Sequence, residues 1–166
     1  MADSYRLYFV AYATINMRKT VTIRQYILEE SLGSIMGRAA RGLGTRLNRN
    51  FAEAGFDVTC EQWSVLVNLW QSNGQSQQDL AGTTCKNKTS MTRLIDNMEN
   101  HSLVVRIPDK SDKRQKLNYL TKKGRDLQEK LVKIVHATLE DAQKNINQKD
   151  IVLCKKVLRQ VYDNIK

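Results

Sequence analysis

The stretch from 103 to 124, "LVVRIPDKSDKRQKLNYLTKKG", limits the fold more than any other part of this 166-residue chain. Leu103, Val104, Val105 and Ile107 form a β-prone run, Leu117 and Tyr119 alternate beyond it, and between them lie Pro108 and a cluster of charges. The pattern reads as a two-stranded ribbon with cations at its tip. Two strands alone are marginal in water, so neighbouring helices must supply the surface on which the ribbon packs.

Asn87 stands as N-cap of the helix just upstream, where Met91, Leu94, Ile95 and Met98 recur at i, i+3, i+4 and i+7 and bury one narrow face. Thr89, Arg93, Asp96 and Asn100 fall opposite, flanked by Ser90 and Thr92, with Lys88 in the first turn. Short hydroxyl side chains let a helix approach base edges, and Arg supplies the fork that reads guanine. An ordinary solvated face would look the same, so context must decide. Ser76-Gln77-Gln78-Asp79 begins a shorter helix with Leu80 and Ala81 inward, and residues 82–86 form a turn. Two short helices across a tight turn make a helix-turn-helix, and the basic ribbon that follows makes a wing. Its cations suit a phosphate backbone or a narrow minor groove. Asp112 fits such a surface if it holds a neighbouring Arg or Lys by a charge-assisted hydrogen bond.

Longer helical patterns flank this unit. In residues 32–56, Leu32, Ile35, Met36, Ala39, Leu43 and Leu47 recur at helical spacing, with Gly55 as the C-terminal stop. Gly33, Gly37, Gly42 and Gly44 weaken a helix by about 1 kcal/mol each relative to Ala, which points to close backbone approach by a partner. Thr59 and Gln62 form a capping box before a helix ended by Gly74, with Trp63, Leu66, Val67 and Trp70 as its core stripe. Beyond N-cap Thr121, Leu127, Leu131, Ile134, Val135, Thr138 and Ala142 share one face. Asn147 restarts a helix with Ile151, Cys154, Val157, Leu158, Val161 and Ile165 inward. Such stripes often close a monomer's core, but a helix-turn-helix is already a complete unit, so they call for a second subunit.

Charge agrees with a polyanionic partner. The net charge is +10, with residues 86–125 carrying eleven bases against four acids, and residues 51–85 four acids and no base. So lopsided a field attracts nucleic acid, with an anionic membrane surface as the lesser reading. No apolar run approaches a transmembrane span, and the apolar stretch 7–13 is too small for a signal peptide. Cys60, Cys85 and Cys154 are widely spaced, which suits reduced thiols in a cytoplasm. Cys60 and Cys85 lie near helix starts that could lower a thiol pKa.

The segments "QWSVLVNLW", "QDLAGTT", "NKTSMTRLIDNME" and "LVVRIPDKSDKRQKLNYLTKKGRDL" resemble, in order and spacing, the MarR family of bacterial transcription regulators. Asp112-Lys113-Arg114 looks like the family's D-x-R wing, and Leu120-Thr121-x-x-Gly124 like its L-T-x-x-G junction. The resemblance spans about residues 31–166 and implies a mainly α fold with a small β-wing. Residues 57–121 would be the winged helix-turn-helix, residues 31–56 and 122–166 the dimerisation helices, and residues 1–30 an extension of unknown role. It further implies a homodimeric, sequence-specific repressor of double-stranded DNA, released from a pseudo-palindromic operator by a small aromatic or anionic effector. The recognition role falls on Lys88, Thr89, Ser90, Thr92 and Arg93. The wing role falls on Asp112, Lys113 and Arg114, with Arg106 as a phosphate contact. Two departures stand out. Ser102 replaces the family's usual Gly, so Asn100 or His101 is expected in the left-handed cap conformation. The cysteine-sensing branch's first-helix Cys is missing.

An enzyme is the competing class. His101 and His136 are the only histidines, and no nucleophile-elbow, Walker or H-E-x-x-H motif occurs. A non-sequence-specific architectural or RNA-binding winged helix stays open at this stage. Relative affinity for an inverted-repeat duplex, random DNA and double-stranded RNA separates the two.

Overall fold

A computed structural model describes residues 27–166, so almost all of the expected extension over residues 1–30, and the apolar stretch 7–13, lie outside the described residues. The chain divides into a unit ending at Ala39 and a second from Ala40 to Lys166. In the first, a 3-10 turn at Leu28–Glu30 leads to Ser31, whose Oγ accepts the Ser34 N–H at 3.2 Å and so caps helix α1 (Leu32–Glu53), most of which belongs to the second unit. Helix α1 ends as expected. Gly55 adopts φ +79, and the Phe56 N–H returns to the Phe51 carbonyl at 2.9 Å.

In the second unit, α1 is followed by α2 (Cys60–Gln71), β1 (Gln75–Ser76), α3 (Gln77–Thr83), α4 (Lys88–Asn100), β2 (Val104–Pro108), β3 (Lys116–Leu120), α5 (Lys122–Asp126), α6 (Gln128–Ala142) and α7 (Gln148–Ile165). The fold is thus mainly helical with a small antiparallel sheet, in the order β1-β3-β2. The ribbon gains a third strand that the sequence pattern did not reveal. Gln75 and Ser76 pair with Asn118 and Leu117, while β2 and β3 register from Val104 opposite Leu120 to Pro108 opposite Lys116. The expected capping box of Thr59 with Gln62 forms, and Ser76 makes a second one with Asp79.

The core brings together Leu47 and Phe51 of α1, Val65, Leu66 and Leu69 of α2, Leu80 of α3, and Met91, Ile95 and Met98 of α4. Leu103, Val104, Leu120 and Leu131 seal it from the sheet side and α6. Three expectations shift. Helix α2 stops at Gln71, and Gly74 lies beyond it in the turn into β1 at φ +83, where a Cβ would stand 2.7 Å from the Tyr119 ring. Its buried face is Gln62, Val65, Leu66 and Leu69. Trp63 and Trp70 are only half-buried, packed edge to face at 5.4 Å on the flank of the core. The segment after Thr121 breaks into α5 and α6 at Leu127.

The outer stripes differ more. Of the α1 stripe only Leu47 is buried, and Leu32, Ile35 and Leu43 are open to solvent. On α6, Leu131 and Thr138 are buried as expected, but Ala142 is exposed. Helix α7 has no buried residue. Ile151, Leu158 and Val161 are half-covered, while Cys154, Val157 and Ile165 are exposed. Of these three helices only α7 contributes no buried residue to the core. Among the described residues no helix is long and apolar enough to cross a membrane.

Candidate nucleic-acid interface

Helices α3 and α4 are joined by a turn in which Cys85 takes φ +51. The Asn87 Oδ1 accepts the Ser90 N–H at 2.8 Å and starts α4 where the sequence places it. Lys86 bends back to Glu61 of α2 at 2.7 Å, and the Gln62 amide donates to Asn97 Oδ1 at 2.6 Å. With Met91, Ile95 and Met98 fully buried, α4 is held along its inner side and cannot roll. Lys88, Thr89, Ser90 and Arg93 are all exposed on the other side. Thr92 differs from these four. It is half-buried, its Oγ1 donates to the Lys88 carbonyl at 2.9 Å, and it accepts a hydrogen bond from the Gln77 side chain.

The C-terminal end of α4 corrects one expectation. His101 has φ −84, and Ser102 itself takes the left-handed conformation at φ +56. The position is forced: the Leu103 N–H reaches back to the Met98 carbonyl at 2.9 Å, and closing that loop puts the left-handed residue at 102. The junction after β3 is equally tight. Thr121 Oγ1 accepts the Gly124 N–H at 3.1 Å and donates to the Ser102 carbonyl at 2.6 Å. A Cβ on Gly124 would lie 2.2 Å from the Leu103 carbonyl oxygen, which is why the L-T-x-x-G motif needs its glycine.

The wing loop is built by its two acids. Asp109 Oδ1 accepts both the N–H and the hydroxyl of Ser111 at 2.6 Å, and these bonds hold its carboxyl below the usual range. Asp112 Oδ1 accepts the Arg114 N–H at 3.0 Å and its Nε at 3.3 Å. The guanidinium is thereby aimed while its side chain stays 93% exposed, and Lys113 stands exposed beside it. Arg106 departs from the role expected of it. On β2, with a side chain 19% exposed, it donates Nη1 to Glu99 at 3.0 Å and Nη2 to Asp96, both on α4. A cation already held by two carboxylates of its own chain is poorly placed to serve a phosphate. The sequence held a signal for this: Asp96 and Glu99 are the only acids on α4, one turn apart.

Cys60 also runs against expectation. Burial, then the neighbouring Glu61, push its thiol up despite its place at the start of α2. On the far side of α2, a cleft of about 290 Å³ opens against α6, lined by Trp63, Val67, Trp70, Gln71, Gln128, Val132, Val135 and His136. A second groove of about 330 Å³ lies between α1 and α6 at Gly42, Leu43, Arg46, Thr138, Asp141 and Ala142.

A helix fixed from behind, a shorter helix turned against it and a cation-tipped ribbon sealed to its far end define a winged helix-turn-helix. The profile of the MarR family, one of transcriptional regulators, matches residues 58–116 of this chain. The chain is 31% identical over 113 residues to the transcriptional activatory protein BadR of Rhodopseudomonas palustris, covering 66% of this chain and 65% of that relative. Among solved structures it is similar to BpsR of Bordetella bronchiseptica, whose DNA binding is regulated by 6-hydroxynicotinic acid. There the TM-score is 0.76 at 22% identity, over 83% of this chain and 97% of that one. It is also similar to the transcriptional repressor CouR of Rhodococcus jostii bound to a 23-mer DNA duplex, with TM-score 0.73 at 24% identity over 87% and 99%. These two likenesses establish the fold.

Proposed function

We propose that this chain is a sequence-specific, double-stranded DNA-binding transcriptional regulator of the bacterial cytoplasm, working as a homodimer and released from its operator by a small ligand. The first two turns of α4 carry this reading. Lys88, Thr89, Ser90 and Arg93 are exposed on a helix whose other face is locked in the core. Lys88, Thr89, Ser90, Thr92 and Arg93 enter the major groove, with Arg93 positioned by its chemistry to fork onto guanine. Lys113 and Arg114 reach backbone or minor groove, and Asp112 orients Arg114. Arg106 acts from within, pairing with Asp96 and Glu99 and offsetting one of their two negative charges beside the phosphates. Residues 57–121 form the DNA-binding domain, and residues 31–56 and 122–166 the dimerisation helices.

The second subunit accounts for apolar surface that the protomer leaves open. Val152, Leu153, Val157 and Ile165 of α7 stand in solvent, more than a lone soluble helix carries without a partner. Gly42 has nothing within 4 Å of where its Cβ would be, beside the groove at α1 and α6, so a partner helix has room to approach there. The cleft at Trp63 and Trp70 suits a flat aromatic effector, with Gln71, Gln128 and His136 to orient its polar groups. The regulation of BpsR by 6-hydroxynicotinic acid is a precedent within the fold.

Fluorescence anisotropy with an inverted-repeat duplex selected from a random pool, a scrambled duplex and double-stranded RNA tests the proposal. The selected duplex should bind at least about 10³-fold more tightly than the scrambled one. Equal affinity for all three would transfer the chain to the architectural or RNA-binding class.

A further inference from the structure

We infer that Thr92 reads a thymine through its methyl group, and that Gln77 is the positioning residue that helps tie up its hydroxyl; the inference rests on the DNA-binding reading above. A threonine hydroxyl has a single proton. In Thr92 that proton is committed to the Lys88 carbonyl at 2.9 Å, and the oxygen also accepts from the Gln77 side chain. Thr92 therefore has no donor to offer to guanine N7 or O6, adenine N7 or thymine O4, the acceptors of the major groove. What remains is one lone pair and the methyl. Thr89 and Ser90 contrast with it: among the described residues neither hydroxyl has a hydrogen-bond partner, so each is free to donate. Thymine is the one base with an apolar group in the major groove, its C5-methyl, and an apolar contact there is what Thr92 is equipped to make.

Gln77 is itself held in place. It is the first residue of α3, directly after Ser76, whose side chain and backbone are fixed by Asp79 in the capping box. Its side chain donates to the half-buried Thr92 from α3, and on the α4 wheel Thr92 lies between the buried Ile95 and the exposed Thr89 and Arg93. A purely structural pin between α3 and α4 would predict no dependence on a base methyl, and this separates the two roles.

The test uses the full chain and the sequence it selects from a randomised duplex pool. Each thymine of that sequence is replaced in turn by deoxyuridine, which removes only the methyl. Wild type should lose about fourfold in affinity at one thymine per half-site, the effect of one methyl's worth of burial. Thr92→Val, which keeps the methyl and lacks the hydroxyl, should show the same loss at the same position. Thr92→Ser, which keeps the hydroxyl and lacks the methyl, should bind thymine and deoxyuridine alike there. Gln77→Ala should narrow the thymine preference by freeing the Thr92 hydroxyl to rotate. Wild type insensitive to every deoxyuridine, or Thr92→Ser with undiminished discrimination, overturns the inference and leaves the DNA-binding reading standing. A wild type that selects no sequence removes both.

Discussion

Replacing Arg106 with Met tests whether the cation on β2 serves DNA or its own chain. The guanidinium spans Asp96 and Glu99, and Glu99 also accepts the Arg106 backbone N–H at 3.2 Å, so one strand residue ties the wing to the recognition helix three times. Both carboxylates remain partly open to water, where ion pairs contribute about 0.2–1 kcal/mol each, so folding stability should fall by no more than about 1–2 kcal/mol. The deciding effect should appear on DNA. Removing the one guanidinium leaves one more uncompensated carboxylate charge, and at about 7 Å from a phosphate in water this opposes binding by about 0.6 kcal/mol, or roughly threefold per half-site. Anisotropy titrations over a range of salt should compare wild type, Arg106→Met, and Arg106→Met combined with Asp96→Asn and Glu99→Gln. The triple variant should regain most of what the single one loses, because no acid is left to cancel. If Arg106 contacts a phosphate instead, the triple variant stays as weak as the single one and the slope of log K against log salt flattens by about 0.9 for the lost contact. That pair of results would refute the brace.

Ser102→Gly should raise stability by about 0.5–1 kcal/mol, because a left-handed non-glycine residue costs about 1–2 kcal/mol and glycine returns part of that as chain entropy; a lower thermal midpoint would contradict it. Gly124→Ala should cost about 1–3 kcal/mol or more in denaturant titration, since its Cβ would meet the Leu103 carbonyl oxygen at 2.2 Å while that oxygen also accepts the Thr121 N–H. Val157→Glu sits at a position 46% exposed in the protomer, where a monomer would tolerate it within about 0.5 kcal/mol. Sedimentation should instead show the wild-type dimer dissociating, and a Val157→Glu dimer of full strength would remove α7 from the interface. Because the Asp109 carboxyl is held below its usual range, its stabilisation of the wing loop is complete above the ordinary aspartate pKa of about 3.9 and is lost only as pH falls through the lower folded value. The Ser111 amide resonance should therefore hold steady down to that point, and a change centred at higher pH would show that the Asp109–Ser111 bonds do not form.

What was legible in the sequence were features set by local chemistry. Asn87, Thr59, Ser76 and Thr121 cap helices because a side-chain oxygen beside a free backbone N–H needs nothing distant to act. Met91, Ile95 and Met98 announced their burial by spacing, and Asp112 its hold on Arg114 by proximity in the chain. What stayed hidden depends on residues far apart in sequence. Strand β1 exists only because Asn118 and Leu117 pass beside Gln75 and Ser76. Trp63 and Trp70 fit a core stripe by period, yet they are half-buried and line a cleft between α2 and α6. The left-handed residue fell at Ser102 rather than at Asn100 or His101 because the Leu103-to-Met98 bond, not side-chain preference, fixes where the turn must reverse.

The charge of residues 86–125 shows the same division most sharply. Read as a run, its eleven bases are one positive block. Folded, Lys86 is bound to Glu61, Arg106 to Asp96 and Glu99, Lys122 to Asp126, Lys123 to the His101 carbonyl and Arg125 to the Leu120 carbonyl. Lys88 and Arg93 on α4, and Lys110, Lys113 and Lys116 around the wing tip, have no partner among the described residues, and Arg114 is aimed rather than neutralised. Apart from Lys86 in the turn before α4, the bound cations lie on β2 and α5, and the unbound ones at the start of α4 and the end of the ribbon. A polyanion is drawn more by the second group than by Lys86, Arg106 and Lys122, because a cation that already holds a carboxylate must surrender it before meeting a phosphate. The two unbound clusters belong to the two elements that a winged helix-turn-helix presents to the duplex. The field therefore favours this face through placement, which a count of charges along the chain does not capture.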